Sequence, residues 1–175
     1  MQPPLPKRKT VRLKAYDYSQ VGSYFITICT IDKSNLLGKI VGDAVPCIPA
    51  IELTHIGKTV QSYLEKMNTA IDYAHLDNYV IMPNHVHLLI TIDYGETAGT
   101  QRTTSPTGMS KAVIPRIVHG LKAVTRKYTG RSVWQRSYHD HVIRNENSYQ
   151  RIWQYIDENP LKWQDDCYFN SAELM

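Results

Sequence analysis

Two apolar stretches meet at a Pro-Asn pair, and nothing else in the chain limits its fold as tightly. Tyr73 to Met82 reads as one strand, Pro83-Asn84 as a turn, and HVHLLI from His85 to Ile90 as the returning strand. Side chains alternate along a strand, so His85 and His87 share one face while Val86, Leu88 and Ile90 occupy the other. The turn puts both imidazoles at the tip of the hairpin. Two neighbouring imidazoles suit a divalent metal, although His139-Asp140-His141 offers a rival pair with the same spacing. Spacing alone leaves that choice open.

Other segments fall into place around this hairpin. SYFITICTI, Ser23 to Ile31, is rich in β-branched and aromatic residues and bounded by Gly22 and Asp32-Lys33-Ser34-Asn35, which marks a central strand. Gly38 to Ala50 carries Gly42, Pro46 and Pro49 and reads as a loop, with a short edge strand at Gly38 to Val41. Leu53, Ile56, Val60, Leu64 and Met67 recur at helical spacing, giving an amphipathic helix from Thr54 to about Ala70. The glycine- and threonine-rich stretch from about residue 94 to 109 is expected to be a flexible connector. Beyond it Ile117, Leu121, Val124 and Tyr128 mark a helix from near Pro115 to Gly130, with Arg116, Lys122, Arg126 and Lys127 on its other face. Arg136 to Arg144 reads as a fourth strand. Asn145 or Asn147 caps a last helix that runs to Glu158 before Pro160, with Tyr149, Ile152, Trp153 and Ile156 as its buried stripe.

The order strand, helix, strand, strand, helix, strand and closing helix specifies an α+β fold. It is a ferredoxin-like split βαβ sandwich, whose antiparallel sheet carries helices on its faces. The closing helix can then lie over the face that displays His85 and His87. At 175 residues we expect one domain over 1–175, preceded by a basic arm at about 1–15.

Charge is segregated along the chain. Thr97 to His139 contains no acid but eight cations, including Arg102, Arg116, Lys122, Arg126, Lys127 and Arg136. Lys7, Arg8, Lys9, Arg12 and Lys14 precede the first acid, Asp17, whereas the stretch after Asp157 is acidic. Such a map suggests a polyanion-binding face. No apolar run reaches the ~20 residues of a membrane span, and no signal core follows the basic start. Three widely spaced cysteines cannot form a closed disulfide set. A cytoplasmic protein with no membrane partner is the expectation.

On the closing helix Tyr155 and Asn159 stand one turn apart and so share a face. A tyrosine hydroxyl is a weak nucleophile at its ordinary pKa of ~10 and needs a positioned phosphate and a cation. Two neutral imidazoles and an amide oxygen would leave positions open on Mg²⁺ or Mn²⁺ for a phosphodiester oxygen. Tyr155 attack would then conserve the bond as a phosphotyrosine, without a nucleotide cofactor. No Walker-type or dinucleotide-type glycine pattern signals one.

Five blocks carry a family resemblance: YDYSQVGSYFITICT (16–30), MPNHVHLLI (82–90), IVHGLKAVTRKY (117–128), WQRSYHDHVIRN (134–145) and YQRIWQYIDENP (149–160). Together they resemble the REP-associated tyrosine transposases, within the wider single-tyrosine, His-hydrophobe-His transposases of insertion sequences. The resemblance implies His85 and His87 as metal ligands, Asn159 as the third and Tyr155 as nucleophile, and so selects this pair over His139 and His141. It implies cleavage and rejoining of single-stranded DNA at palindromic hairpins through a 5′-phosphotyrosine, with DNA transposition as the outcome. Members of this wider group act as monomers or as homodimers that share active sites. Lys7, Arg8, Lys9, Arg12, Arg116, Lys122, Arg126, Lys127, Arg136 and Arg144 are the expected DNA contacts. A silent hairpin-binding derivative and a small metal-dependent hydrolase are the alternatives.

Overall fold

The computed structural model describes residues 20–41, 50–95 and 113–169. Its elements are β1 (Gly22–Cys29), β2 (Gly38–Val41), β3 (Ala50–Leu53), α1 (His55–Ala70), β4 (Ala74–Ile81), β5 (His85–Ile92), α2 (Val113–Thr129), β6 (His139–Ile143) and α3 (Glu146–Glu158). Four strands form a sheet in the order β4-β5-β1-β6, every neighbouring pair antiparallel. Each helical crossover therefore skips one strand, and the other crossover unit fills the gap. This is the split βαβ layout that the element order anticipates.

The hairpin turns where expected: the Met82 amide donates to the His85 carbonyl at 2.9 Å across Pro83-Asn84. Alternation then sorts the residues of β1 and β5 onto two faces. Tyr24, Ile26, Ile28, Val86, Leu88, Ile90 and Ile92 pack with Val60, Leu64, Ile114, Ile117 and Leu121 from α1 and α2. Burying each such side chain fully is worth about 1.5–3 kcal/mol, so this is the principal core. On the other face Leu89, Ile143 and Ile156 form a smaller cluster, flanked by Phe25, Val80, Tyr149 and Ile152, which seats α3.

Thr54 starts α1 by accepting a hydrogen bond from the Gly57 amide at 3.1 Å, while its hydroxyl donates to the Leu36 carbonyl at 2.7 Å. Gly57 is required there, because a Cβ would strike the Leu37 carbonyl. Asn145 caps α3 by accepting from the Ser148 amide at 2.9 Å.

Several expectations need correction. The loop expected before α1 contains a second strand, since β2 pairs with β3 in a separate two-stranded sheet. In α2 the helix begins at Val113, and Val118 and Thr125 are buried in place of Val124 and Tyr128. Trp134 explains the shift, because its indole N–H donates to the Thr125 hydroxyl at 2.7 Å and draws that side of α2 inward. In α3 Trp153 is 36% exposed and does not belong to the buried stripe. Most of the connector, 96–109, and the basic arm at 1–15 lie outside the described residues.

Candidate metal and nucleophile site

Both hairpin imidazoles are buried on the α3 face, and their outer nitrogens are held by neighbours. The Asn84 amide donates to the Lys33 carbonyl at 2.9 Å and to the Tyr168 carbonyl at 2.8 Å, which leaves its Oδ1 to accept. His85 Nδ1, 2.9 Å from that oxygen, must then carry the proton, and Nε2 keeps its lone pair. His87 Nδ1 is 2.8 Å from the Thr27 hydroxyl on β1. The two Nε2 atoms stand 3.0 Å apart. Two ligands about 2.1 Å from one octahedral cation, at right angles, are separated by about 3.0 Å, so the pair has the spacing of adjacent ligands.

α3 brings Tyr155 to this pair. Its hydroxyl is 3.4 Å from His87 Nε2, and its ring meets Phe25 edge-on at 6.0 Å. Phe25 in turn stacks on His87 at 5.0 Å. One turn further on, Asn159 is buried; its amide donates to Asp166 Oδ2 at 2.9 Å, while its Oδ1 has no hydrogen-bond partner. An orphaned buried carbonyl oxygen costs stability unless something binds it, and a cation is one such partner.

After Pro160 the chain returns over the imidazoles. Tyr168 lies 4.6 Å and Trp163 5.9 Å, centroid to centroid, from His85. Lys33 anchors this return by donating to the Cys167 carbonyl at 2.8 Å, with its ammonium 5.3 Å from the Tyr168 ring centre. The return delivers Asp166, and ligand atoms of His85, His87 and Asp166 all lie within 4.8 Å of one another. Among the described residues no other such group of histidine, cysteine and carboxylate side chains occurs. Sequence reasoning missed Asp166, which sits beyond a proline in an acidic stretch with no periodic pattern.

Burial drives the electrostatics. It pushes the His85 imidazole down to about 3, with Lys33 adding and Asn159 opposing. Burial and then the neighbouring His85 hold His87 well below the ordinary histidine range. Both are neutral at pH 7 and fit to ligate a metal. Burial, then Asp166 and Cys167, raises the Tyr155 phenol to about 12. A hydroxyl that reluctant reacts only beside a cation or a proton acceptor.

The expected DNA-contact residues are scattered. α2 lies on the sheet face opposite the imidazoles, with Arg126 and Lys127 exposed. The Lys122 ammonium donates to the Gln135 carbonyl at 2.7 Å and to those of Arg136 and Ser137 at 3.3 Å each, fastening α2 to the approach to β6. Arg116 donates to the Tyr73 hydroxyl. Arg136 and Arg144 are exposed, one before and one after β6. Lys7, Arg8, Lys9 and Arg12 lie outside the described residues. No described helix is long and apolar enough to cross a membrane.

The split βαβ fold is one that a solved transposase shares. A solved REP-associated tyrosine transposase bound to a REP hairpin superposes with a TM-score of 0.59, at 20% identity over 87% of this chain and 73% of that one. That likeness is one of fold. No family model matches the chain. A curated Haemophilus influenzae protein, described as uncharacterized, is 33% identical over 171 residues, 91% of each chain, and this chain belongs to its family.

Proposed function

We propose that this protein cleaves and rejoins single-stranded DNA at hairpin elements, with Tyr155 as nucleophile. The observation that supports this reading most directly is the Tyr155 hydroxyl lying 3.4 Å from one of two neutral, paired imidazoles. His85, His87 and Asn159 would hold a divalent cation such as Mg²⁺ or Mn²⁺, with Asp166 in reach as a further oxygen ligand. Bound there, the cation supplies Lewis-acid polarisation of a phosphodiester oxygen.

Tyr155 Oη attacks phosphorus and gives up its proton. The phosphorus–O3′ bond breaks, and the leaving oxygen takes a proton to become a free 3′-hydroxyl. The 5′ side remains on the enzyme as a phosphotyrosine, and attack by a 3′-hydroxyl reverses the sequence. Thr27 and Asn84 orient the imidazoles throughout, and Phe25 supports both His87 and Tyr155. The structural relative's bound REP hairpin supports DNA of that shape as the partner.

The test is to incubate the protein with hairpin DNA carrying a single-stranded flank and Mn²⁺ or Mg²⁺. We expect an adduct that survives denaturation and is absent for Tyr155→Phe. Binding without an adduct would establish the silent hairpin-binding alternative, and cleavage without an adduct a hydrolase.

A further inference from the structure

The second His-x-His pair is left without a role by this reaction, and its position gives it one. In the sheet His139 lies opposite Thr27, which lies opposite His87. His141 lies opposite Phe25, which lies opposite Leu89. Opposed residues of an antiparallel ladder project to the same face, so both β6 histidines share the face of Tyr155 and the buried pair. Two strand spacings, each ~4.8 Å, separate His139 from His87.

The two pairs differ in setting. His85 and His87 are buried, whereas His139 and His141 are exposed on a strand that, among the described residues, pairs with β1 alone. A metal does not suit the exposed pair. Asp140 between them faces away, opposite the core residue Ile26, and no histidine, cysteine or carboxylate completes a group of three with them among the described residues. What they do offer is N–H donors in a row on the catalytic face. Arg136 and Arg144, both exposed, flank the strand. Such a row suits a polyanion backbone.

We propose that β6 is the track on which the single strand running to Tyr155 is held, with His139 and His141 donating hydrogen bonds to a phosphate within a few nucleotides of the one attacked. This rests on the proposed function, but binding tests it without catalysis. In metal-free buffer, affinities would be measured for a blunt hairpin and for the same hairpin with a single-stranded flank. We expect His139→Ala/His141→Ala to lose about five- to tenfold for the flanked DNA alone, the net size of about one solvent-exposed hydrogen bond, with an unchanged melting temperature. Replacing one flank phosphate with a neutral methylphosphonate should weaken the wild type by a similar factor and leave the double variant indifferent at that position.

Equal losses on both DNAs, no loss on either, or a wild type that does not distinguish them would each overturn the proposal. An adduct at Tyr155 with unchanged affinities would sink the β6 track alone. A clear flank-specific loss in a protein that forms no adduct would uphold the track and sink the cleavage reading.

Discussion

Acid should begin to destabilise this protein above the range where carboxylates titrate, and His85 sets the scale. Its imidazole is fully buried and its folded pKa is about 3, against ~6.5 in the unfolded chain. The unfolded state therefore takes up the proton first. The stability that the neutral imidazole contributes is complete above pH 6.5 and is lost as pH falls from there towards 3. At pH 5, 1.5 units below the unfolded value, the loss from His85 alone is about 2 kcal/mol, and His87 adds in the same direction. For a chain of this size that corresponds to about 4–8 °C in melting temperature from His85 alone.

Thermal denaturation followed by circular dichroism between pH 7.5 and 5 reads this directly. Glu52 and Glu158 do not contribute in this window, because their salt bridges with Lys39 and Lys162 hold them below the usual carboxylate value. His85→Gln should be less stable at pH 7.5 but lose about 2 kcal/mol less than the wild type on acidification. Parallel wild-type and variant curves across the window would refute the argument, since His85 would then not be a neutral buried group.

Asn159→Ala should weaken Mn²⁺ binding at least tenfold, read by calorimetry or by the Mn²⁺-induced rise in melting temperature. Unaltered affinity would exclude its orphaned Oδ1 as a ligand. Lys122→Ala should lower the melting temperature, because three carbonyls lose their donor. Arg126→Ala/Lys127→Ala should leave stability alone and, if α2 tracks phosphates, reduce the salt dependence of hairpin binding by about one to two phosphates' worth.

Where the chain repeats a period, the fold was readable. Thr54 to Ala70 and the two arms of the Pro83-Asn84 hairpin satisfy local capping, turn and alternation rules at once, so tertiary packing had nothing to override. β2 was legible at Gly38 to Val41, but β3 and its pairing were not, because Gly42, Pro46 and Pro49 interrupt the pattern and short edge strands carry little alternation. Trp153 looked buried by hydrophobicity, yet Tyr149, Ile152 and Ile156 are the residues of α3 that pack on the sheet, and Trp153 stays 36% exposed. A helical wheel places Lys122 on the basic face of α2 but does not show the carbonyl thirteen residues later to which it donates. His85, His87, Tyr155 and Asn159 could be picked out from spacing and resemblance. Asp166 joins them only through the fold of the return after Pro160, and the shared face of His139 and His141 only through sheet register.

The depth of the two functional groups also dictates the direction from which a substrate can come. His85 is sealed by Tyr168 and Trp163 on one side and by Asn84 behind, while Tyr155 at 40% exposure remains at the surface. Among the described residues, Tyr155 is thus the exposed member of the group, and under the proposed function a phosphate would approach the imidazole pair beside it. Under the proposed function, that approach would bring a phosphate to the hydroxyl and to the candidate metal position together, as in-line attack by a weakly acidic phenol requires. The return segment thus buries His85 while leaving Tyr155 at the surface, the division of exposure that the proposed chemistry would use.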